Sequence, residues 1–261
     1  MSAQQNRKKR LTSADYLKKA DELEANGEFE KAIELLSKAI RTAKDKPLLY
    51  YRLAVLCRSQ RRMDDAILAA KRALRIKPDD LRSRDLLLEI LLELGRVDDA
   101  IKEAKELLKY SPHSLSARDV LSIAYLQKGM LEKALQVTNE LISLDPMSPL
   151  NHFKKAVLYQ QKGDIGNAVQ EFTRVLEMQP DEDTAREARQ AIEVLDNYQL
   201  RHILMLAAED YIFRAKLIRD PEAAALERGF YLSYSGMATL KQIQFEELPE
   251  VWAEWKQKFY H

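Results

Sequence analysis

The sequence predicts an all-α protein built from tandem copies of one helix pair, and its spacing and composition carry this prediction. An alanine recurs every 34 residues along most of the chain, at Ala32, Ala66, Ala100, Ala134 and Ala168. A repeat of this length holds two short helices, which bury an apolar face only by stacking on the next copy, so a solenoid is expected. Composition agrees, because 46% of the residues are apolar, 32% are charged and only seven are glycine, as in helical proteins rich in strong helix formers.

Prolines and glycines mark the ends of the two helices in each copy. A proline follows the repeated alanine by 12 residues in four copies, at Pro78, Pro112, Pro146 and Pro180. Proline lacks a backbone N–H and clashes with the preceding turn, so each second helix ends there. A glycine precedes the alanine by five residues at Gly27, Gly95, Gly129 and Gly163. The turn between the two helices lies there, and glycine adopts the backbone conformations that such a turn needs. The second copy has Arg61 at this point, and its turn is expected to be less regular.

Small and apolar residues recur where the helices of a pair would touch. With the repeated alanine as position 20, position 8 reads Ala20, Ala54, Leu88, Ser122 and Ala156, and position 11 reads Leu23, Cys57, Leu91, Tyr125 and Tyr159. In these residues the chain resembles the tetratricopeptide repeat (TPR) proteins, with five copies at 13–46, 47–80, 81–114, 115–148 and 149–182. The resemblance implies a right-handed α-solenoid. The chain departs from the family pattern at Lys44, which replaces the first proline, and at position 4, where Arg84, Arg118 and His152 are not aromatic.

The repeat pattern ends after Pro180 and is absent before residue 13. Residues 183–199 read as one helix with Ala188, Ile192 and Leu195 on a stripe, and this helix is expected to cap the last copy. Residues 200–261 are predicted to form a small helical module, with a helix stop at Asp220-Pro221 and a cap at Ser233 or Ser235. Residues 1–12 carry the basic run Arg7, Lys8, Lys9 and Arg10 and are predicted to be a mobile tail.

Two features of the C-terminal module bear on its role. Its AAED, FR, DP and ERGF-LS elements, within residues 207–233, resemble the helical modules of nitrogen-fixation-type and nitrile-hydratase-like leader peptides. Residues 240–261 contain no Ser, Thr or Cys, which argues against a modified-peptide precursor. Both tryptophans of the chain, Trp252 and Trp255, share a helical face with Phe259. These aromatic residues either fold back over an apolar surface or dock on a partner, and folding back is favoured because exposed aromatic patches promote aggregation.

The first helix of each copy carries the candidate binding surface. Positions 2, 5, 9, 12 and 13 share one face of that helix, and the family resemblance implies that this face lines the concave groove. The candidate groove residues are Tyr51, Arg58, Arg82, Asp85, Glu89, Glu93, Asp119 and Phe153. The acidic band of Asp85, Glu89, Glu93 and Asp119, flanked by apolar residues, favours a partner helix or extended peptide with basic and apolar side chains. The alternative is an ordinary solvated face whose ligand binds elsewhere.

One known use of such a groove is disfavoured. Tetratricopeptide co-chaperones capture an acidic C-terminal peptide with a clamp of basic and amide residues. The corresponding positions in this chain are Leu17, Asp21, Arg52, Arg82 and Leu86. Leu17, Asp21 and Leu86 are neither basic nor amide residues, and the Asp21 side chain would repel a carboxylate.

Several function classes find no support in the sequence. The four histidines have no metal-ligand spacing with one another or with Cys57, and no phosphate loop or nucleophile motif occurs, so we expect no catalysis, metal or cofactor. Cys57 is expected to be a buried small hydrophobe. The net charge of +1 argues against a nucleic-acid partner. No apolar run approaches the roughly 18 residues of a membrane span, and no signal-peptide core is present, so a cytoplasmic location without membrane contact is expected.

The sequence therefore predicts a non-enzymatic scaffold that binds a peptide or helix of a partner protein in its groove. Two other functions stay open at this point. The chain could be a structural protomer that assembles with copies of itself through its repeats and C-terminal module. It could also be an accessory subunit of a peptide-modifying or nitrogen-metabolism system, which only the leader-like resemblance supports.

Overall fold

The computed structural model describes residues 11–43, 45–178 and 180–247, and these residues form fourteen α-helices and no strand. The chain divides into two compact units, Met1–Gly129 and Met130–His261. The first unit contains α1 (Ser13–Ala25), α2 (Phe29–Thr42), α3 (Lys46–Ser59), α4 (Met63–Ile76), α5 (Leu81–Glu93), α6 (Val97–Tyr110) and α7 (Leu115–Gln127). The second contains α8 (Leu131–Leu144), α9 (Pro149–Lys162), α10 (Ile165–Glu177), α11 (Glu182–Glu209), α12 (Tyr211–Arg219), α13 (Pro221–Glu227) and α14 (Tyr234–Lys241). The all-α prediction is confirmed.

The repeated alanines lie where the helices pack together. All five, from Ala32 to Ala168, have no exposed surface. Helices α1 and α2 pack as a pair, as do α3 and α4, α5 and α6, and α9 and α10. A methyl group at this position lets the two helix backbones approach closely, so the 34-residue period of the sequence is the period of a packing contact.

The turn at Arg61 is as regular as the turns at the glycines, and the expectation of a less regular turn was wrong. Arg61 has φ 58°, and Gly95 at the equivalent position has φ 65°. The Arg61 amide donates to the Arg58 carbonyl at 2.9 Å, as the Gly95 amide does to Leu92. The helices on both sides and these backbone hydrogen bonds fix the turn, and arginine is held in a left-handed conformation that glycine adopts without steric cost.

Replacing Arg61 with glycine is therefore expected to stabilise the first unit. The left-handed conformation costs a non-glycine residue about 1 kcal/mol or slightly more, and the arginine side chain is exposed. We expect Arg61→Gly to raise the free energy of unfolding in urea by about 1 kcal/mol. Arg61→Ala is the control, because alanine keeps the steric cost. Equal stability of the glycine and alanine variants would show that the turn is not strained.

Polar side chains at position 4 have a structural role that explains the departure from the family's aromatic residue. Arg84 donates to the Pro78 carbonyl at 2.8 Å, and Arg118 donates to the Pro112 carbonyl at 2.7 Å. Each arginine therefore ties the start of a first helix to the proline that ends the preceding copy. Arg84 also forms an ion pair with Glu103 at 3.1 Å.

Helix α11 extends beyond the predicted capping helix. It begins after Asp181, which accepts a hydrogen bond from the Thr184 amide at 2.9 Å, and continues through the expected boundary at residue 199 to Glu209. No glycine or proline interrupts residues 182–209. Its first half packs on α10 through Ala188, Ile192 and Leu195, and its second half enters the C-terminal core. One continuous helix thus joins the last helix pair to the C-terminal module.

Asp and Ser caps divide the C-terminal module into short helices. Asp220 accepts from the Ala223 amide and starts α13, and Ser233 accepts from the Gly236 amide and starts α14, so the predicted stop and cap are confirmed. A further break at Asp210 was not predicted. Hydrogen bonds from the amides of Phe213 and Ile212 start α12 there, and the Phe213 amide hydrogen bond contributes most to a lowered pKa of the Asp210 carboxyl.

Two polar side chains of α11 hold the segment before α14. Gln199 donates to the Tyr231 carbonyl at 2.9 Å and accepts from the Tyr231 amide at 2.7 Å. Asp196 accepts from the Ser233 amide at 2.9 Å and from the Ser233 hydroxyl. Gly236 packs so closely on Asp196 that a Cβ atom at this position would clash with its carboxylate. The module is therefore fixed to α11 by hydrogen bonds as well as by its apolar core.

Candidate functional site

The first helices of successive copies lie side by side in the first unit. Helix α3 contacts α1 and α5, and α5 contacts α7. The candidate site is the surface that these four helices share, called here the first-helix face. Arg52 of α3 donates from Nε to Asp21 of α1 at 3.0 Å and also contacts Glu24. Burial lowers the pKa of Arg52, but the hydrogen bond that it donates to Asp21 and the charges of both carboxylates outweigh burial and raise the pKa above its ordinary value.

Arg58 joins α3 to α5 in the same way. Its Nε donates to Glu93 at 3.0 Å, and its two terminal nitrogens contact Glu89 and Glu93. The hydrogen bond with Glu93 is the largest cause of a raised pKa of Arg58, and Glu89 adds to it. Two carboxylates of the predicted acidic band therefore share one cation of the protein.

Two further contacts join neighbouring helices of the first-helix face. The Arg82 guanidinium lies over the Tyr51 ring, 5.5 Å from its centroid, and joins α5 to α3. The Ser116 hydroxyl of α7 donates to Asp85 of α5 at 2.5 Å. Polar contacts thus run from α1 through α3 and α5 to α7.

The structure brings together most of the predicted groove residues. Six of them, Tyr51, Arg58, Arg82, Asp85, Glu89 and Glu93, take part in the contacts of the first-helix face. Asp119 lies on α7, one turn after Ser116. Phe153 belongs to the second unit, where its ring meets Phe172 edge-on with the centroids 5.3 Å apart. The binding role of these residues stays a prediction.

Sequence reasoning did not predict the contacts that Arg52 and Ser116 make on the face. A signal for them exists, because Arg52 follows Asp21 by 31 residues and Ser116 follows Asp85 by 31 residues. Glu89 also follows Arg58 by 31 residues. This spacing is about one helical turn shorter than the 34-residue repeat. A side chain therefore contacts the next first helix one turn before the equivalent position of that copy. Oppositely charged residues at this spacing predict contacts between copies.

The pairing changes the electrostatic character of the predicted site. Glu89 and Glu93 are partly neutralised by Arg58, so the acidic band is weaker than its formal charge indicates. Arg52 stands at one of the positions of the co-chaperone clamp, and its guanidinium already forms ion pairs with Asp21 and Glu24. The pairing of Arg52 adds to the sequence argument against an acidic C-terminal peptide as ligand.

Within residues 11–43, 45–178 and 180–247, no group of three or more His, Cys, Asp or Glu residues could hold a metal ion. Cys57 is 2% exposed, and burial is the main cause of the raised pKa of its thiol, which confirms the prediction of a buried small residue. In the same described ranges no helix has the length and apolar character of a membrane span. The basic run Arg7–Arg10 and the docking candidates Trp252, Trp255 and Phe259 lie outside the described residues.

Solved structures with the same fold were found by comparison. MamA residues 41-end from Desulfovibrio magneticus RS-1 is 21% identical, covers 64% of this chain and 95% of its own, and has a TM-score of 0.57. YrrB, described as a TPR protein with an unusual peptide-binding site, is 20% identical, covers 67% and 91%, and has a TM-score of 0.56. A tetratricopeptide repeat protein from Parabacteroides merdae ATCC 43184 is 17% identical, covers 91% and 97%, and has a TM-score of 0.64.

Family models locate the repeats in the sequence. One tetratricopeptide repeat model matches residues 17–80 and 87–149, and a second matches residues 121–193. No curated protein sequence matches the chain significantly. The leader-like resemblance lies beyond residue 193 and stays a prediction, as does the count of five copies. Because the two models together match more than half of the chain, and the helix pairs and buried alanines follow the same register, the chain belongs to the tetratricopeptide repeat family.

Proposed function

We propose that this protein is an interaction scaffold and that the first-helix face of its first unit binds a partner segment with basic and apolar side chains. One observation carries the proposal: Glu89 and Glu93 hold a single arginine between them while their side chains stay 56% and 38% exposed. Two carboxylates around one cation leave a net negative charge that a lysine or arginine of a partner can approach. Family membership and the peptide-binding site described for YrrB support this choice of function.

The first-helix face also offers apolar side chains, so the partner needs apolar side chains of its own. Tyr51, Val55, Leu92 and Ile123 are half-buried and lie at the face positions of α3, α5 and α7. Aromatic and aliphatic anchors supply most of the binding energy in such interfaces, while charges set specificity and association rate. The preferred ligand is therefore a short segment in which basic and apolar side chains both face the protein.

Charge reversal at the two exposed carboxylates tests this function. An array of short synthetic peptides that vary in net charge and apolar content identifies ligands of the unmodified protein. We expect basic, apolar peptides to bind and Glu89→Lys/Glu93→Lys to weaken them at least about tenfold, or about 1.4 kcal/mol. Circular dichroism checks that helicity is unchanged.

Glu34→Lys/Glu106→Lys is the matched control for that experiment. It makes the same change in charge at two ion-paired glutamates on α2 and α6, the second helices of their pairs. Selection of acidic peptides, or equal weakening by both double variants, would contradict the proposed site.

Self-association is the second candidate function, and one surface feature favours it. Exposed apolar side chains recur at two positions of successive copies in the first unit, Ile76 with Leu81 and Tyr110 with Leu115. Sedimentation at increasing concentration separates the two functions, because a scaffold for other proteins keeps a constant mass. The accessory-subunit role and the cytoplasmic location stay predictions.

A further inference from the structure

The second unit contains a polar cleft of about 720 Å³ between α10 and the segment that joins α13 to α14. Residues between Gly166 and Glu177 of α10 line one side, and residues 231–234 line the other. This volume lies in the range of ligand pockets. Because most of the lining side chains are polar, a ligand must satisfy hydrogen-bonding groups here. We call this site the α10 cleft.

The segment opposite α10 is bound to α11 through every second residue. Gln199 of α11 exchanges two hydrogen bonds with the main chain of Tyr231. Asp196 of α11 accepts from the Ser233 amide at 2.9 Å. In extended backbone, alternate residues bond to the same side, and the residue between them directs its N–H and C=O groups to the opposite side. The main-chain groups of Leu232 therefore point away from α11.

Leu232 offers a free main-chain edge in the α10 cleft. Neither its N–H nor its C=O group has a hydrogen-bond partner among the residues that the structure describes, and the residue lines the cleft. Its side chain packs against the apolar core of the C-terminal module, which holds the edge in place. Unpaired N–H and C=O groups at the edge of an extended segment are a template for a second extended chain.

The α10 cleft is long enough for a short extended peptide. The Tyr231 ring packs against Gly166 at the start of α10, where an added Cβ atom would clash with the ring. From there Gln170, Arg174 and Glu177 follow at helical spacing along the cleft. The stretch from Gly166 to Glu177 covers about 16 Å of helix, which equals about five residues of extended chain.

The charges that line the α10 cleft nearly balance. Arg174 and Glu177 are exposed, lie one turn apart and have no ion-pair partner in the described part of the chain. Glu171 is already paired with Lys155 at 2.8 Å. Asp164 caps α10, and the dipole of that helix partly offsets its charge. This balance favours an uncharged ligand.

Tyr234 gives the ligand an apolar requirement. Its ring lines the α10 cleft and is 94% exposed. Tyrosine rings supply large contact areas when they pack on apolar or aromatic side chains. One such side chain of a bound segment would cover this ring.

We propose that the α10 cleft binds an extended, uncharged segment of a partner protein. The segment pairs its main chain with the N–H and C=O groups of Leu232 and packs one apolar side chain on Tyr234. This site belongs to the second unit and selects for main-chain groups, whereas the first-helix face belongs to the first unit and has a basic ligand as its proposed partner.

Peptides with methylated main-chain nitrogens test the pairing with Leu232. The probes are fluorescently labelled, uncharged peptides of about seven residues, built from Ser, Thr and Asn around one Phe. Fluorescence anisotropy measures their binding to the full-length protein. Methylation removes one N–H donor at a time. We expect binding to weaken at least about tenfold when the nitrogen opposite Leu232 is methylated, and to tolerate methylation of the two adjacent residues, whose N–H groups point away.

A variant that fills the α10 cleft tests its location. Gln170 is exposed and lines the cleft, so Gln170→Trp should keep the fold and weaken the same peptides at least about tenfold. Gln136→Trp is the matched control. Gln136 is the equivalent, exposed residue of the preceding copy on α8 and does not line the cleft. Circular dichroism checks that both variants keep their helicity.

Four results would overturn the proposal. These are no binding by any uncharged peptide, equal weakening by the two tryptophan variants, unchanged binding by Gln170→Trp, and methylation effects that are equal at all positions. Binding that Glu89→Lys/Glu93→Lys weakens and Gln170→Trp does not would place the peptides on the first-helix face. That result would reject the α10 cleft and leave the proposed function in place.

Discussion

Replacement of Phe172 by alanine is expected to lower the free energy of unfolding of the second unit by about 3–5 kcal/mol. The Phe172 side chain has no exposed surface and packs in a core with Ala156, Ala168 and Ala188. Its ring also meets the edge of the Phe153 ring, a contact that adds about 0.5–1.5 kcal/mol beyond burial. Packed neighbours close such a space only in part, so removal of the ring leaves a cavity.

Urea unfolding followed by circular dichroism measures this loss. Tyr234→Ala is the control, since it removes an aromatic ring of similar size that is almost fully exposed. We expect that variant to stay within about 0.5 kcal/mol of the unmodified protein. A loss below about 1 kcal/mol for Phe172→Ala would show that the core around α9, α10 and α11 rearranges to fill the space.

The register of the helix pairs was predictable because the signals are local. An alanine at a close helix contact and a proline that ends a helix act within their own copy, and the 34-residue spacing repeats them. Arg61 shows where local reasoning fails. Sequence preference disfavours arginine in a left-handed turn, but packing of the two helices fixes the turn, and the cost appears as strain.

The contacts of the first-helix face were only partly predictable. The sequence predicts which residues share a face, but pairing between copies depends on the offset of adjacent helices. Once α3 is known to lie beside α5, the 31-residue spacing of Arg58 and Glu89 accounts for their contact. From the sequence alone, Arg58 is only one positive charge on a face with several negative ones, and its partner cannot be identified.

The C-terminal module was least predictable in its contacts. Asp220 and Ser233 were identified because caps are local signals. The hydrogen bonds from Gln199 to Tyr231 and from Ser233 to Asp196 join residues 32 and 37 positions apart, and no repeat relates them. The boundary expected at residue 199 failed because a change of composition does not end a helix that has neither glycine nor proline.

A buried charge cluster gives the second large effect. Glu171 of α10 lies within 2.7 Å of the His152 ring and 2.8 Å of the Lys155 ammonium of α9, and all three side chains are mostly buried. Burial raises the pKa of Glu171, but the hydrogen bonds from His152 and Lys155 together outweigh burial and leave the pKa below its ordinary value. The charged carboxylate therefore stabilises the fold.

Glu171→Gln is expected to lower the free energy of unfolding by about 2–3 kcal/mol near neutral pH, because Lys155 then keeps a mostly buried charge without its partner. The double variant Glu171→Gln/Lys155→Met is the control. It removes both charges, keeps an amide beside His152, and should recover most of the loss. No recovery would show that the cost arises from shape rather than from charge.

The pH dependence of this effect has a definite sign. A carboxyl whose pKa is lower in the folded state than its ordinary value of 4.5 contributes stability that is fully present above that value and is lost as the pH falls through the folded-state pKa. The unmodified protein should therefore lose stability below about pH 4.5 more steeply than Glu171→Gln, and the difference between the two should shrink as the solution becomes more acidic. Urea midpoints measured from pH 7 down to the acid limit test this prediction. A difference that stays constant over that range would mean that folding does not lower the pKa of Glu171.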